Sequence, residues 1–153
     1  MNYEGEYLNG KKNGKGIKYY DGKLHFQGDY LNDKELDGKG YDLNNNVVYE
    51  LKQGKGYVKE YYSDWKLYFE GEYLNGERNG RGKEYNYDSI IEGEYLNGKR
   101  HGKIKEFSYN DYLIFEDEYL NGKINGKGKE YYSDGNLIYE IEYLNNERNG
   151  KAK

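Results

Sequence analysis

Phe69-Glu-Gly-Glu-Tyr-Leu-Asn-Gly-Glu-Arg-Asn-Gly-Arg-Gly82 is the stretch on which the reading of this chain turns. Worn copies of it begin near Tyr3, Phe26, Tyr49, Phe69, Ile91, Phe115 and Tyr139, so by subtraction they are spaced 23, 23, 20, 22, 24 and 24 residues apart. A near-constant period in this range marks a repeat array, in which each unit is one supersecondary element stacked on its neighbours.

The copy from Leu113 shows what that element is. Read as a strand, Leu113-Ile-Phe-Glu-Asp-Glu-Tyr-Leu120 turns Leu113, Phe115, Asp117 and Tyr119 to one face, with Ile114, Glu116, Glu118 and Leu120 on the other. Asn121-Gly-Lys-Ile-Asn-Gly126 carries Asn-Gly twice and reads as a hairpin loop, because that dipeptide accepts the positive φ a tight turn needs. Lys127 to Tyr132 then reads as the returning strand, and Ser133-Asp-Gly-Asn136 as a turn into the next copy. The expected fold is all-β: an elongated, single-layer, twisted antiparallel β-meander of about seven β-hairpin repeats filling one domain, residues 1–153.

The same alternation places Tyr7, Tyr30, Tyr73, Tyr95, Tyr119 and Tyr143 in a stripe on one face. Glycines between large rings leave gaps that a ring from an adjoining strand can cover. The opposite face carries Glu on outgoing strands and Lys or Arg on returning ones, which predicts a cross-strand ion ladder. The third copy is short, with 7 positions from Tyr49 to Gly56 against 11 from Ile91 to Gly102, so a bend, narrowing or bulge is expected there. Trp65 stands where Gly22 and Gly135 occupy the corresponding turn, and the last copy stops soon after its loop, at Lys151-Ala-Lys153, so a short or frayed C-terminal edge strand is expected.

Composition bounds the function. Mean hydropathy is −1.30, yet 22 Tyr, 4 Phe and 1 Trp are far more aromatic residues than a disordered chain carries. There is no cysteine for a disulfide or thiolate metal site, and no proline to interrupt strand pairing. A net charge of −4 points away from nucleic acid. No apolar run is long enough to span a membrane and no leader pattern opens the chain, so the expected location is the cytoplasm.

No catalytic constellation, cofactor motif or metal cluster emerges. His25 and His101 lie three repeats apart and read as ordinary surface residues. The recurring Glu pairs read as structural, opposite lysines. Two features remain as candidate sites. One is a basic loop edge, Lys11, Lys12, Arg78, Arg81, Lys99, Arg100 and Lys103, suited to an anionic headgroup or an acidic partner. The other is the tyrosine face, since exposed tyrosine rows bind proteins with large contact area at low entropic cost; the alternative is that these rings are the core.

The pattern Tyr/Phe-Glu-Gly-Glu-Tyr-x-Asn-Gly-Lys-x-x-Gly-Lys-Gly, best matched at Tyr3–Gly16, Phe69–Gly82 and Phe115–Gly128, resembles the MORN (membrane occupation and recognition nexus) repeat. Tyr7, Tyr73 and Tyr119 stand where many members have Trp. Asp117 and Ile141 replace the strand glycine, and Ile104 the second loop-side glycine. Lys129-Glu-Tyr-Tyr-Ser-Asp-Gly135 also looks like the bacterial, antitoxin-like variant of the repeat. The resemblance implies a scaffold that dimerises or tethers partners in cytoskeletal or membrane-proximal assemblies, in some cases binding phosphoinositides. The expected role is therefore non-enzymatic protein interaction through the tyrosine face and sheet edges, self-association included. Alternatives are a peripheral membrane module on the basic edge, a carbohydrate-binding surface, and an antitoxin-like inhibitor.

Overall fold

The computed structural model describes residues 2–149, and all of their regular structure is β. Fourteen strands, two per repeat, run as an antiparallel meander in two open sheets. The chain divides into two compact units, Met1–Arg78 and Asn79–Lys153.

In the first unit, β1 (Asn2–Leu8), β2 (Lys11–Tyr20), β3 (Lys23–Leu31), β4 (Lys34–Tyr41) and β5 (Val47–Leu51) pair in sequence order. The β6 (Gly56–Tyr61) and β7 (Leu67–Leu74) hairpin follows and belongs to the second, nine-stranded sheet. The meander changes sheet between β5 and β6, inside the short third repeat. That repeat keeps a two-residue turn, Gln53-Gly54, both at positive φ, but has lost the stems on either side. A single bridge, Lys52 to Lys55, is all that remains of its ladder. The expected irregularity is thus a break in pairing, and it lets Val58 and Tyr73 pack on Phe26, Tyr30, Tyr49 and Leu51 to make an enclosed core.

β8 (Glu77–Tyr85) begins with the last two residues of the first unit, and in the second unit its remainder, β9 (Ser89–Leu96), β10 (Lys99–Ser108), β11 (Leu113–Leu120), β12 (Lys123–Tyr131), β13 (Leu137–Leu144) and β14 (Glu147–Asn149) pair in order. Ile91, Tyr95, Ile104 and Ile141 are its buried apolar side chains. On the polar face Lys83, Glu92, Lys105, Glu116, Lys129 and Glu140 stand opposite one another in that order on successive strands. Lys83–Glu92 close to 2.6 Å, Lys105–Glu116 to 3.3 Å and Lys129–Glu140 to 3.4 Å, so the expected ion ladder is formed.

The hairpin loops are tighter than the doubled Asn-Gly suggests. Only the first pair turns the chain: Asn121 and Gly122 have φ of 51° and 84°, and β12 begins at once with Lys123. The second pair, Asn125-Gly126, lies inside β12 as a β-bulge opposite Glu118, where the register slips between Asp117 and Tyr119. A bulge frees backbone groups that must find partners. Glu118 accepts from the Lys127 N–H at 3.3 Å, while Asn146 of the following turn accepts from the Ile124 N–H at 2.7 Å. Lys15 with Glu6 and Lys12 with Asp33 repeat the device in the first unit. The Asn32-Asp33 and Asn145-Asn146 turns therefore each seal the bulge of the hairpin before them, which couples those neighbouring repeats. Of the C-terminal edge strand, expected to be short or frayed, three residues are described as β14, and Lys151–Lys153 lie outside the described residues.

Candidate interaction surfaces

One position in four of the repeats, unmarked by the glycine pattern, places a carboxylate on the aromatic face. Lys59-Glu60-Tyr61, Lys83-Glu84-Tyr85, Lys105-Glu106-Phe107 and Lys129-Glu130-Tyr131 recur on returning strands. With Lys on the polar face, strand alternation puts the Glu among the rings. Glu60 stands opposite Phe69, Glu84 opposite Ile91, Glu106 opposite Phe115 and Glu130 opposite Tyr139. A carboxylate at such a site must be compensated. Glu60 accepts from the Tyr73 hydroxyl at 2.5 Å, from the Tyr68 hydroxyl, and from Arg78 Nε at 2.7 Å. Burial pushes its pKa up, but Arg78 and the two phenols more than offset this, leaving the carboxyl below its usual range. Glu84 repeats the arrangement, with the Tyr95 hydroxyl at 2.5 Å and Arg100 donating at 2.7 and 3.0 Å.

These contacts decide where the candidate residues stand. Lys11, Lys12, Arg78, Arg81, Lys99, Arg100 and Lys103 all lie in strands rather than loops. Arg78 and Arg100 turn onto the aromatic face, the Arg78 guanidinium 3.8 Å from the Phe69 ring centre. Lys12 leans over the Tyr3 ring at 4.7 Å. Lys11, Arg81, Lys99 and Lys103 are exposed. The tyrosines differ as widely. Tyr30 and Tyr95 are only 3% and 4% exposed and belong to the cores, so the expectation that they stand partly open is corrected. Tyr73, Tyr119 and Tyr143 are half-buried, and Tyr7 is 58% exposed.

A cleft opens in the first unit where the β6–β7 hairpin meets the five-stranded sheet. It has a volume of about 240 Å³, with Glu35 and Glu60 among its lining side chains. Glu35 is held by Lys18 and by the Tyr49 hydroxyl at 2.8 Å. His25, read as a surface residue from the sequence, is 3% exposed and sits at the cleft's edge among Tyr20, Tyr61 and Trp65, with ring centres 4.2, 6.2 and 5.7 Å away. Burial, with Lys18 adding to it, lowers its pKa to about 3, so the imidazole is neutral. Its signal in the sequence is register: His25 follows Leu24 on a strand and faces Trp65 across the short third repeat, a contact no linear pattern displays.

The second unit has no such cover. Phe115, Tyr119, Tyr139 and Tyr143 are half-buried on its aromatic face. Among the described residues Glu106 makes no ion pair, and Ile124 occupies the place held by Arg78 and Arg100 in other repeats. Asp117, on the strand-glycine row beside it, has its pKa raised to about 6 by burial and by the Glu106 charge. Among the described residues no group of three or more His, Cys, Asp and Glu could hold a metal ion.

No curated protein matches the chain. The family model of the MORN repeat matches residues 3–24, 69–89, 92–103 and 118–137, segments that fall in both units. With a hairpin per repeat, paired turns and bulges, and a shared aromatic face, the chain belongs to the MORN-repeat proteins.

Proposed function

We propose that this protein is a non-enzymatic scaffold that docks a protein partner on the aromatic face of its second unit. MORN repeats point to a repeat scaffold. One contrast carries the finer reading: Phe26, Tyr30 and Tyr49 are enclosed in the first unit, whereas Phe115, Tyr119, Tyr139 and Tyr143, at like strand positions, stay half-open in the second. A half-open row of rings offers large, rigid contact area with few rotamers to freeze. A second copy of the chain is one such partner. Cross-linking of the assembled complex, read by mass spectrometry, tests the placement: links should concentrate on β11 to β13, and links confined to the polar face would overturn it.

A second reading has its own observation. Leu96, Leu120 and Leu144 are exposed beside the two-residue turns, with Lys99 and Lys123 directly across from the first two. Such a leucine–lysine rim suits a peripheral contact with an anionic membrane, each lysine contributing about 1 kcal/mol near the surface. Flotation with anionic vesicles at low and physiological salt tests it. Flotation lost on Lys99→Glu supports this reading, and no flotation removes it.

A further inference from the structure

The cleft of the first unit is not needed for docking on the second. Its volume of about 240 Å³ holds about eight waters at roughly 30 Å³ each, the space of one small ring rather than a chain. Its charges are already matched: Lys18 with Glu35, Lys34 with Glu77 at 2.8 Å, and Glu60 with Arg78, while Asp33 accepts the Lys12 N–H at 2.8 Å. An ionic ligand would have to break one of these pairs, whereas a neutral one leaves them intact.

What the cleft offers instead is hydrogen-bonding capacity. Tyr49, Tyr68 and Tyr73 spend their hydroxyl protons on Glu35 and Glu60, so phenol and carboxylate oxygens remain as acceptors. Both ring nitrogens of His25 are buried without a partner, behind the Tyr20 ring. Such groups are rare in a folded protein and call for an explanation. Trp65, which backs this cluster, is held at φ 66°, at a turn position where other copies carry Gly22, Gly135, Asn45 and Asp111, the residue types that tolerate the left-handed region. A bulky residue in the left-handed region persists only where its surroundings over-determine it, and such residues cluster at functional sites.

We propose that this cleft binds a small uncharged polyol of single-sugar size, whose hydroxyls donate to the Glu35 and Glu60 side while its C–H face lies on Tyr20 and Tyr61. A hydroxyl reaching His25 then displaces the Tyr20 ring and satisfies the imidazole.

The test titrates the full chain with D-glucose, D-galactose and D-mannitol, with phosphate and spermidine as charged counter-probes. Ordinary ligand efficiency for about a dozen non-hydrogen atoms puts affinity in the millimolar range, so the titration runs to roughly 100 mM. Emission of Trp65, the sole tryptophan, and saturation-transfer NMR are the readouts. The expected result is a saturable response to at least one neutral probe, weakened fivefold or more in Tyr20→Ala or, should that variant not fold, in Tyr61→Leu. No saturable response to any neutral probe, a stronger response to a charged one, or binding indifferent to the substitution each overturns the proposal. None of these outcomes bears on docking at the second unit, which stands or falls separately.

Discussion

Arg78 Nε donates to Glu60 Oε1 at 2.7 Å while its guanidinium lies 3.8 Å from the centre of the Phe69 ring. One side chain thus neutralises a carboxylate on the aromatic face and covers the ring opposite it. Both partners are about one-fifth exposed, so solvent screens them little. A double-mutant cycle with Arg78→Ala and Glu60→Gln should give a coupling of about 1–3 kcal/mol, the range for contacting residues in one polar network. Additive single effects, measured by denaturant unfolding, would contradict the arrangement.

The repeat that lacks this pair should gain from having it. Ile124 stands in the arginine position, and among the described residues none forms an ion pair with Glu106. Ile124→Arg should therefore raise stability by roughly 1 kcal/mol, the scale of a charge-assisted hydrogen bond less its desolvation. The gain should vanish in a Glu106→Gln background. Destabilisation by Ile124→Arg in the native background would show that the Glu106 site is not built like those of Glu60 and Glu84.

Acid should act on the two units with opposite sign. His25 has a folded pKa near 3 against an ordinary 6.5, so the stability from its neutral form is present above 6.5 and is lost as pH falls toward 3. Asp117 has a folded pKa near 6 against an ordinary 3.8, so its protonated form is favoured and stability rises as pH falls from 6 to 4. Hydrogen exchange resolved by residue, run at pH 7 and pH 5, should show β3 losing protection relative to β11. His25→Phe should flatten the first trend and Asp117→Asn the second.

Glycine has two roles here, and alanine separates them. A Cβ at Gly40 would overlap the Tyr49 ring, whereas at Gly98, φ 78°, it would meet nothing. Gly40→Ala should cost several kcal/mol by displacing a core ring. Gly98→Ala should cost about 1 kcal/mol, the strain of a left-handed alanine. Equal costs in thermal melts would refute the distinction.

Period and alternation were enough to read the hairpins, the charge ladder and the meander, because both are local properties of a strand. Even the ring-over-glycine contacts follow, as with Tyr3 over Gly16 and Tyr143 over Gly128. What the linear pattern concealed was long-range. The second Asn-Gly looks like loop, yet Glu118 and the following turn satisfy its backbone within a strand. Arg78 and Arg100 look like surface charge, yet Glu60 and Glu84 draw them onto the rings. His25 looks ordinary until the short third repeat brings Trp65 to it. The Lys-Glu-Tyr recurrence carried the signal for the buried carboxylates, and counting its parity recovers them.

The most direct test of the proposed role is affinity capture from the native cell with the wild-type chain and a Tyr119→Ser, Tyr143→Ser variant, the fold of the latter checked by circular dichroism. These two rings are half-buried, unlike Tyr95, whose loss would strip Glu84 of a partner. A stoichiometric protein partner should appear on the wild type and be absent from the folded variant. The same partner on both would contradict it.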